Sequence, residues 1–190
     1  MNRPIEELTL IGDELKTCLA VVSETEFERV AGIIARAEGR IFLAGAGRSG
    51  FAMRAFAMRL VHLGKRVHFI GEATMPAISE RDLFIIGSGS GRTVSLLAMA
   101  TNARRIGAAV ILFTINPASP IGRLADFTLR IPAAASEKGD PFPDEPGSAQ
   151  PMGSMFEQAL WIAGDGLVMR LMRMANLNSA QLFANHANLE

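Results

Sequence analysis

Two short segments combine glycine with hydroxyl side chains in a pattern that suits the binding of an anion. The first runs from Gly45 to Gly50 and the second from Gly87 to Thr93. Each follows a short apolar run and precedes a helical pattern, so its backbone amides fall at a helix N-terminus, where the helix offers them no partner. Glycine also lets the backbone approach a ligand closely. The sequence therefore predicts two loops that bind the phosphate of a small phosphorylated metabolite.

Side chains of both segments could add to this binding. The predicted substrate- and phosphate-binding residues are Arg48, Ser49, Ser88, Gly89, Ser90 and Thr93. We expect the second segment to hold the phosphate, because its hydroxyls and amides suit a phosphate monoester. The first segment would line the crevice toward the reacting carbons. Two structural alternatives stay open: a flexible turn whose hydroxyl caps the helix, and a surface salt bridge for Arg48.

The first segment also matches the dinucleotide pattern G-x-G-x-x-G, and Glu72 follows at about the distance of a ribose-binding acid. Two helical patterns precede the first strand, however, and a second anion-binding segment follows it. That second segment is not a nucleotide P-loop, since Arg92 precedes Thr93 where a lysine is required. A dinucleotide-dependent oxidoreductase stays an alternative.

Hydrophobic periodicity predicts the elements that position the two segments. Residues 1–38 show two amphipathic helices. Five short apolar runs predict strands, namely Arg40–Ala44, Arg66–Ile70, Leu83–Ile86, Ala109–Thr114 and Phe127–Ile131. Helices are predicted between them over Phe51–Leu63 and Val94–Ile106. This alternation favours a flavodoxin-like three-layer α/β sandwich, with a five-stranded parallel sheet of order 2-1-3-4-5 and helices on both faces. Strands one and three are neighbours in that order, so both segments would line one crevice.

The chain is predicted to form a single domain over residues 1–190. Residues 132–151 are rich in proline, glycine and acidic side chains and predict a rim or lid loop. Residues 153–190 predict C-terminal helices, the longer over Met155–Met174 and the shorter from Ser179 to about Ala187. The apolar, methionine-rich face of the long helix favours a homo-oligomer.

Composition excludes several classes of function. The 19 basic and 19 acidic side chains cancel, so nothing favours nucleic acid or an anionic membrane as partner. No run of about 18 apolar residues predicts a membrane span. Cys18 is the only cysteine, and the chain starts without a secretory pattern, so we expect a reduced, cytoplasmic protein. No cluster of histidine and acidic residues predicts a metal site.

Together with Gly45–Gly50 and Gly87–Thr93, the strings Gln150–Gln158 and Asn185–Glu190 resemble the sugar isomerase (SIS) domain family, more narrowly its 6-phospho-3-hexuloisomerase branch. The resemblance spans essentially the whole chain. It implies reversible conversion of D-arabino-hex-3-ulose 6-phosphate into fructose 6-phosphate, a step of the ribulose monophosphate route of formaldehyde fixation. It also implies a homotetramer that needs neither metal nor cofactor.

The resemblance implies catalytic roles for Glu157 and His186. Glu157 would be the base that shuttles a proton between carbons, although Ser154 to Glu157 also matches a capping box, in which the glutamate only bonds the backbone. His186 would enter the site of a neighbouring subunit, whereas a histidine so near the C-terminus is commonly just solvated. Isomerases of sedoheptulose 7-phosphate or arabinose 5-phosphate, and a non-catalytic phosphosugar-binding module, are the alternatives.

Overall fold

The computed structural model describes residues 4–133 and 147–189. Five strands lie in these ranges: β1 (Ile41–Gly45), β2 (Val67–Phe69), β3 (Leu83–Gly87), β4 (Ala109–Thr114) and β5 (Phe127–Arg130). Six helices accompany them: α1 (Glu6–Ala20), α2 (Glu24–Arg36), α3 (Gly47–His62), α4 (Val94–Ile106), α5 (Ser154–Met174) and α6 (Ser179–Phe183). Element types and order agree with the prediction.

All strands are parallel, and their order β2-β1-β3-β4-β5 confirms the predicted topology. The register of β1 with β3 matters most for function, because Gly45 pairs with Gly87. The two glycine-rich segments therefore leave the sheet side by side and at the same level. This is the point where the strand connections diverge to opposite faces, and ligands of such sheets bind there.

Side chains alternate between the two faces of the sheet, as strand geometry requires. On β1, Ile41 and Leu43 pack into the core beneath α2, α3 and α5, whereas Phe42 and Ala44 pack into the core beneath α4. Helices thus cover both faces, which confirms the three-layer sandwich. Helix α1 lies outside α5 and packs on it through Leu15 and its neighbours.

Helix α3 begins earlier than the sequence predicts, at Gly47 instead of Phe51. Tertiary packing explains the difference. A Cβ on Gly50 would lie 2.7 Å from the Gly45 carbonyl oxygen, so only glycine allows the helix to start against the strand end. Arg48 and Ser49 consequently sit in the first helical turn and not in a loop.

Two further expectations concern the C-terminal half. Helix α6 is shorter than predicted and ends at Phe183, after which the Asn185 side chain donates a 3.0 Å hydrogen bond to the His62 carbonyl oxygen. The predicted rim or lid loop over 132–151 falls mostly outside the described residues, and only its two ends are seen. Within the described ranges, no helix is long and apolar enough to cross a membrane.

Candidate functional site

A cleft of about 360 Å³ opens at the carboxyl ends of β1 and β3. Its walls come from the residues after these two strands and from the segment that leads into α5. Seven of the eight residues predicted for the site line this cleft: Arg48, Ser49, Ser88, Gly89, Ser90, Thr93 and Glu157. The fold therefore brings them together from three distant stretches of chain.

Three helices begin at the cleft. Ala46, Thr93 and Gly153 are the N-cap residues of α3, α4 and α5, and each lines the cleft. None of the three helices has a side-chain cap. The Ser154 amide donates to the Pro151 carbonyl oxygen at 3.3 Å, and the other first-turn amides are left for another acceptor. Each helix also directs the positive end of its dipole to this place. The cleft is therefore suited to binding an anion.

The loop from Gly87 to Thr93 is held rigidly. The Ile115 amide donates to the Gly89 carbonyl oxygen at 3.1 Å. Gly91 has a φ of +60°, and a Cβ there would lie 2.0 Å from the Ser119 hydroxyl oxygen. Only glycine fits both the dihedral and the space. A loop fixed in this way presents its donors without a large ordering cost when a ligand arrives.

The hydroxyls of this loop differ in their surroundings. Ser88 is buried, and its backbone amide donates a 3.0 Å hydrogen bond to the Phe113 carbonyl oxygen. Ser90 is exposed, and its Oγ accepts a 3.3 Å bond from the Arg92 amide. Thr93 is half-buried and its hydroxyl does not cap α4, so the capping alternative is wrong for this residue. Ser90 and Thr93 are thus the hydroxyls best placed to meet a ligand.

Glu157 lies on the wall contributed by α5, and one of its carboxylate oxygens is paired with the Arg48 guanidinium. Its side chain is 18% exposed, whereas that of Arg48 is 65% exposed. The capping box is not formed: Gly153 is the N-cap residue, and Ser154 is the first residue of the helix. The carboxylate is therefore turned into the cleft.

His186 is the one predicted site residue that lies elsewhere. Its ring stacks on those of His62 and Phe183, with centroid distances of 5.2 and 5.6 Å. His62 ends α3, whose 16 residues span about 24 Å, and Arg48 sits near the start of that helix. Burial lowers the pKa of His62, and the charges of Arg59 and His186 lower it further. Within one chain, His186 does not reach the cleft.

An apolar pocket of about 550 Å³ adjoins the cleft. Phe51, Trp161 and Ile162 line it, although they are 68%, 48% and 43% exposed. Arg48 and Glu157 belong to both cavities and form the partition between them. A group seated in the apolar pocket would therefore lie beside the Glu157 carboxylate.

The sequence did not predict several residues that shape the cleft. Phe156 covers the loop from Gly87 to Thr93 so closely that a Cβ on Gly89 would lie 3.1 Å from its ring. Met152 adopts a φ of +55°, which is unfavourable for a residue other than glycine.

Glu72, the candidate ribose-binding acid, does not line the cleft. Among the described residues, no group of three metal-binding side chains is found.

Comparison with known proteins gives a consistent result. The family described as "SIS domain" matches residues 33–143. A Bacillus subtilis protein named 3-hexulose-6-phosphate isomerase is 43% identical over 97% of this chain and 98% of its own length. A Mycobacterium gastri protein of the same name is 40% identical over 96% and 89%. A crystal structure from Methanococcus jannaschii, for which a molecular function of 3-hexulose-6-phosphate isomerase is inferred, has 31% identity and a TM-score of 0.83 over 98% and 100% of the two chains.

Proposed function

The chain belongs to the SIS domain family, and we propose that it interconverts D-arabino-hex-3-ulose 6-phosphate and fructose 6-phosphate. That it is an isomerase follows from its 43% and 40% identity with named isomerases over nearly the whole chain. One observation carries the choice of mechanism: three uncapped helix N-termini meet at a cleft that also contains the Glu157 carboxylate. Such a cleft combines anion binding with a base.

The phosphate occupies the loop from Gly87 to Thr93, at the start of α4. The sugar carbons extend toward Arg48 and Glu157. Glu157 removes the proton from C2 of the hexulose, and the electron pair forms an enediolate across C2 and C3. The same proton, now on Glu157, returns to C3, so the carbonyl moves from C3 to C2 with no net change in atoms or electrons.

Arg48 changes partner during this reaction. The Arg48 side of its ion pair with Glu157 is 65% exposed, and a pair with so exposed a partner contributes at most about 1 kcal/mol, so substrate can displace it. The freed guanidinium then faces the oxygen on which negative charge develops. The helix N-termini act in the same direction, because fixed dipoles stabilise an enediolate without rearranging.

The enediolate also needs a group that moves a proton between the oxygens on C2 and C3. We assign this role to His186 of a neighbouring copy in a homotetramer. The exposed apolar pocket beside Glu157 supports the assignment, because a second copy that covered Phe51 and Trp161 would lie against the cleft. The enzyme would act in the cytoplasm, in the ribulose monophosphate route.

A coupled assay tests the proposed reaction. The protein is supplied with formaldehyde, ribulose 5-phosphate and hexulose-phosphate synthase, and fructose 6-phosphate is measured. We expect its formation to depend on the protein, with turnover in the range of 1 to 10³ per second that is typical of enzymes. If correctly folded protein forms no fructose 6-phosphate, while arabinose 5-phosphate or sedoheptulose 7-phosphate is isomerised, the choice of sugar is wrong.

Mixing two inactive variants tests whether sites are shared between chains. His186→Ala and Glu157→Gln protein are each prepared alone and then mixed under conditions of proven subunit exchange. We expect roughly a quarter of wild-type activity to return, since random mixing leaves that fraction of shared sites with both residues intact. If exchanged subunits stay inactive, His186 does not serve a neighbouring site.

A further inference from the structure

One carboxylate on α1 binds three consecutive residues that lie more than 130 positions further along the chain. Oε1 of Glu14 accepts from the Ala149 amide at 2.8 Å. Oε2 accepts from the Ser148 hydroxyl at 2.7 Å and from the Gln150 side-chain amide at 2.9 Å. The Ser148 Oγ in turn accepts a 3.0 Å hydrogen bond from the backbone amide of Gln150. This set of contacts, the Glu14 clamp, uses both carboxylate oxygens.

The clamped residues lead directly into the wall of the cleft. Pro151, Met152, Gly153 and Ser154 follow them and line the cleft, and Glu157 is three residues further along α5. Met152 is held at a φ of +55° within this stretch. A left-handed non-glycine residue persists only where its surroundings fix it, and the bonds to Glu14 supply that restraint on one side. The start of helix α5 restrains Met152 on its other side.

The contacts also show which form of Glu14 the clamp needs. Hydrogen bonds from Ala149, then Gln150, then Ser148 lower the pKa of the Glu14 carboxyl group. All three partners donate, so the ionised carboxylate, which only accepts, matches each of them, whereas a protonated carboxyl group would direct its own O–H donor toward these donors. Because the folded-state pKa is lowered, the clamp contributes stability above the ordinary pKa of glutamate and loses it as the pH falls through the lowered value. The clamp is therefore intact at neutral pH.

We propose that Glu14 is a positioning residue: by clamping residues 148–150 it fixes the wall formed by residues 151–154 and so aims the Glu157 carboxylate at the substrate. The role rests on the proposed function, in which Glu157 is the base. Neither the phosphate loop nor its anchors involve Glu14. Loss of the clamp should consequently affect the proton transfer and leave phosphate binding in place.

The test compares Glu14→Ala with Asp13→Ala, which removes an adjacent, exposed carboxylate from the same helix. For Glu14→Ala we expect about a tenfold loss of kcat with a less than threefold change in the dissociation constant for fructose 6-phosphate, since a small misplacement of a base lowers its rate. Amide hydrogen exchange at residues 148–153 should accelerate at least tenfold. Asp13→Ala should change none of these quantities. Glu14→Gln, which keeps one acceptor oxygen, should fall between wild type and Glu14→Ala.

The two readouts separate failure of the clamp from failure of the proposed function. If exchange and kcat in Glu14→Ala equal those of Asp13→Ala, Glu14 positions nothing. If the exchange accelerates but kcat is unchanged, residues 148–150 are clamped without aiming Glu157, and the proposal is overturned. Wild-type protein that folds, shows slow exchange at residues 148–153 and isomerises no hexulose phosphate would instead contradict the proposed function and the role derived from it. The Glu14→Gln variant keeps the comparison decisive should Glu14→Ala fail to fold.

Discussion

Replacing Glu157 with glutamine is expected to lower kcat for the interconversion by about 1,000-fold, within the range that general acid–base catalysis contributes. The amide has nearly the shape of the carboxylate but cannot take the proton from C2. Transfer of a deuterium label from C2 of the hexulose phosphate to C3 of fructose 6-phosphate should stop together with turnover. The dissociation constant for fructose 6-phosphate should change less than threefold, because the loop proposed to bind the phosphate, Gly87 to Thr93, is untouched. The melting temperature should hardly change, because the Arg48 partner of the lost ion pair is 65% exposed.

Glu72→Gln is a suitable control for this experiment. It makes the same chemical change in an exposed carboxylate that does not line the cleft. It should leave kcat and the melting temperature at wild-type values. A Glu157→Gln enzyme that retained most of its turnover would show that another group removes the C2 proton.

A negative charge in the phosphate loop should have the next largest effect. Ser90→Asp places a carboxylate at the mouth of the loop, and the aspartate can keep the bond that Ser90 accepts from the Arg92 amide. At about 5 Å and an effective dielectric constant near 20, repulsion between two unit charges is about 3 kcal/mol. We therefore expect kcat/KM to fall at least about 100-fold, mainly through KM.

Ser95→Asp provides the matched control. Ser95 is exposed in the first turn of the same helix, α4, but does not line the cleft. The KM of the Ser95→Asp variant for fructose 6-phosphate should stay within about threefold of wild type. The new carboxylate should slightly stabilise the N-terminus of α4. If Ser90→Asp binds fructose 6-phosphate as tightly as wild type does, the phosphate lies outside the loop from Gly87 to Thr93.

Local patterns predicted much of this architecture. The apolar runs of β1 and β3 end in glycine-rich segments, and parallel strands with intervening helices allow few arrangements. The order of the sheet and the meeting of the two glycine-rich segments at one crevice follow from that. The start of α3 was predicted wrongly, because glycine weakens a helical pattern in the sequence. In the folded chain Gly45 and Gly50 come into close contact, and this contact requires glycine at position 50.

Other features depend on residues far apart in sequence. Arg48 and Glu157 meet across 109 positions, and Glu14 binds residues 134 to 136 positions away. Periodicity describes each helix by itself and contains no information on such pairs. They form because α3 and α1 both pack against α5, and that packing brings the start of α5 to the cleft as a third helix N-terminus.

Glu157 and His186 also separate what the sequence predicts from what only the fold decides. The sequence alone presents both as candidates for proton transfer and cannot separate a base from a helix cap. In the folded chain the cap is Gly153 and the Glu157 carboxylate enters the cleft, whereas His186 stacks on His62 at the far end of α3. By itself, the sequence determined the elements, their order and the positions of the two glycine-rich loops, because these depend on short-range patterns. Only the tertiary structure decided which acid faces those loops, because that depends on how helices pack.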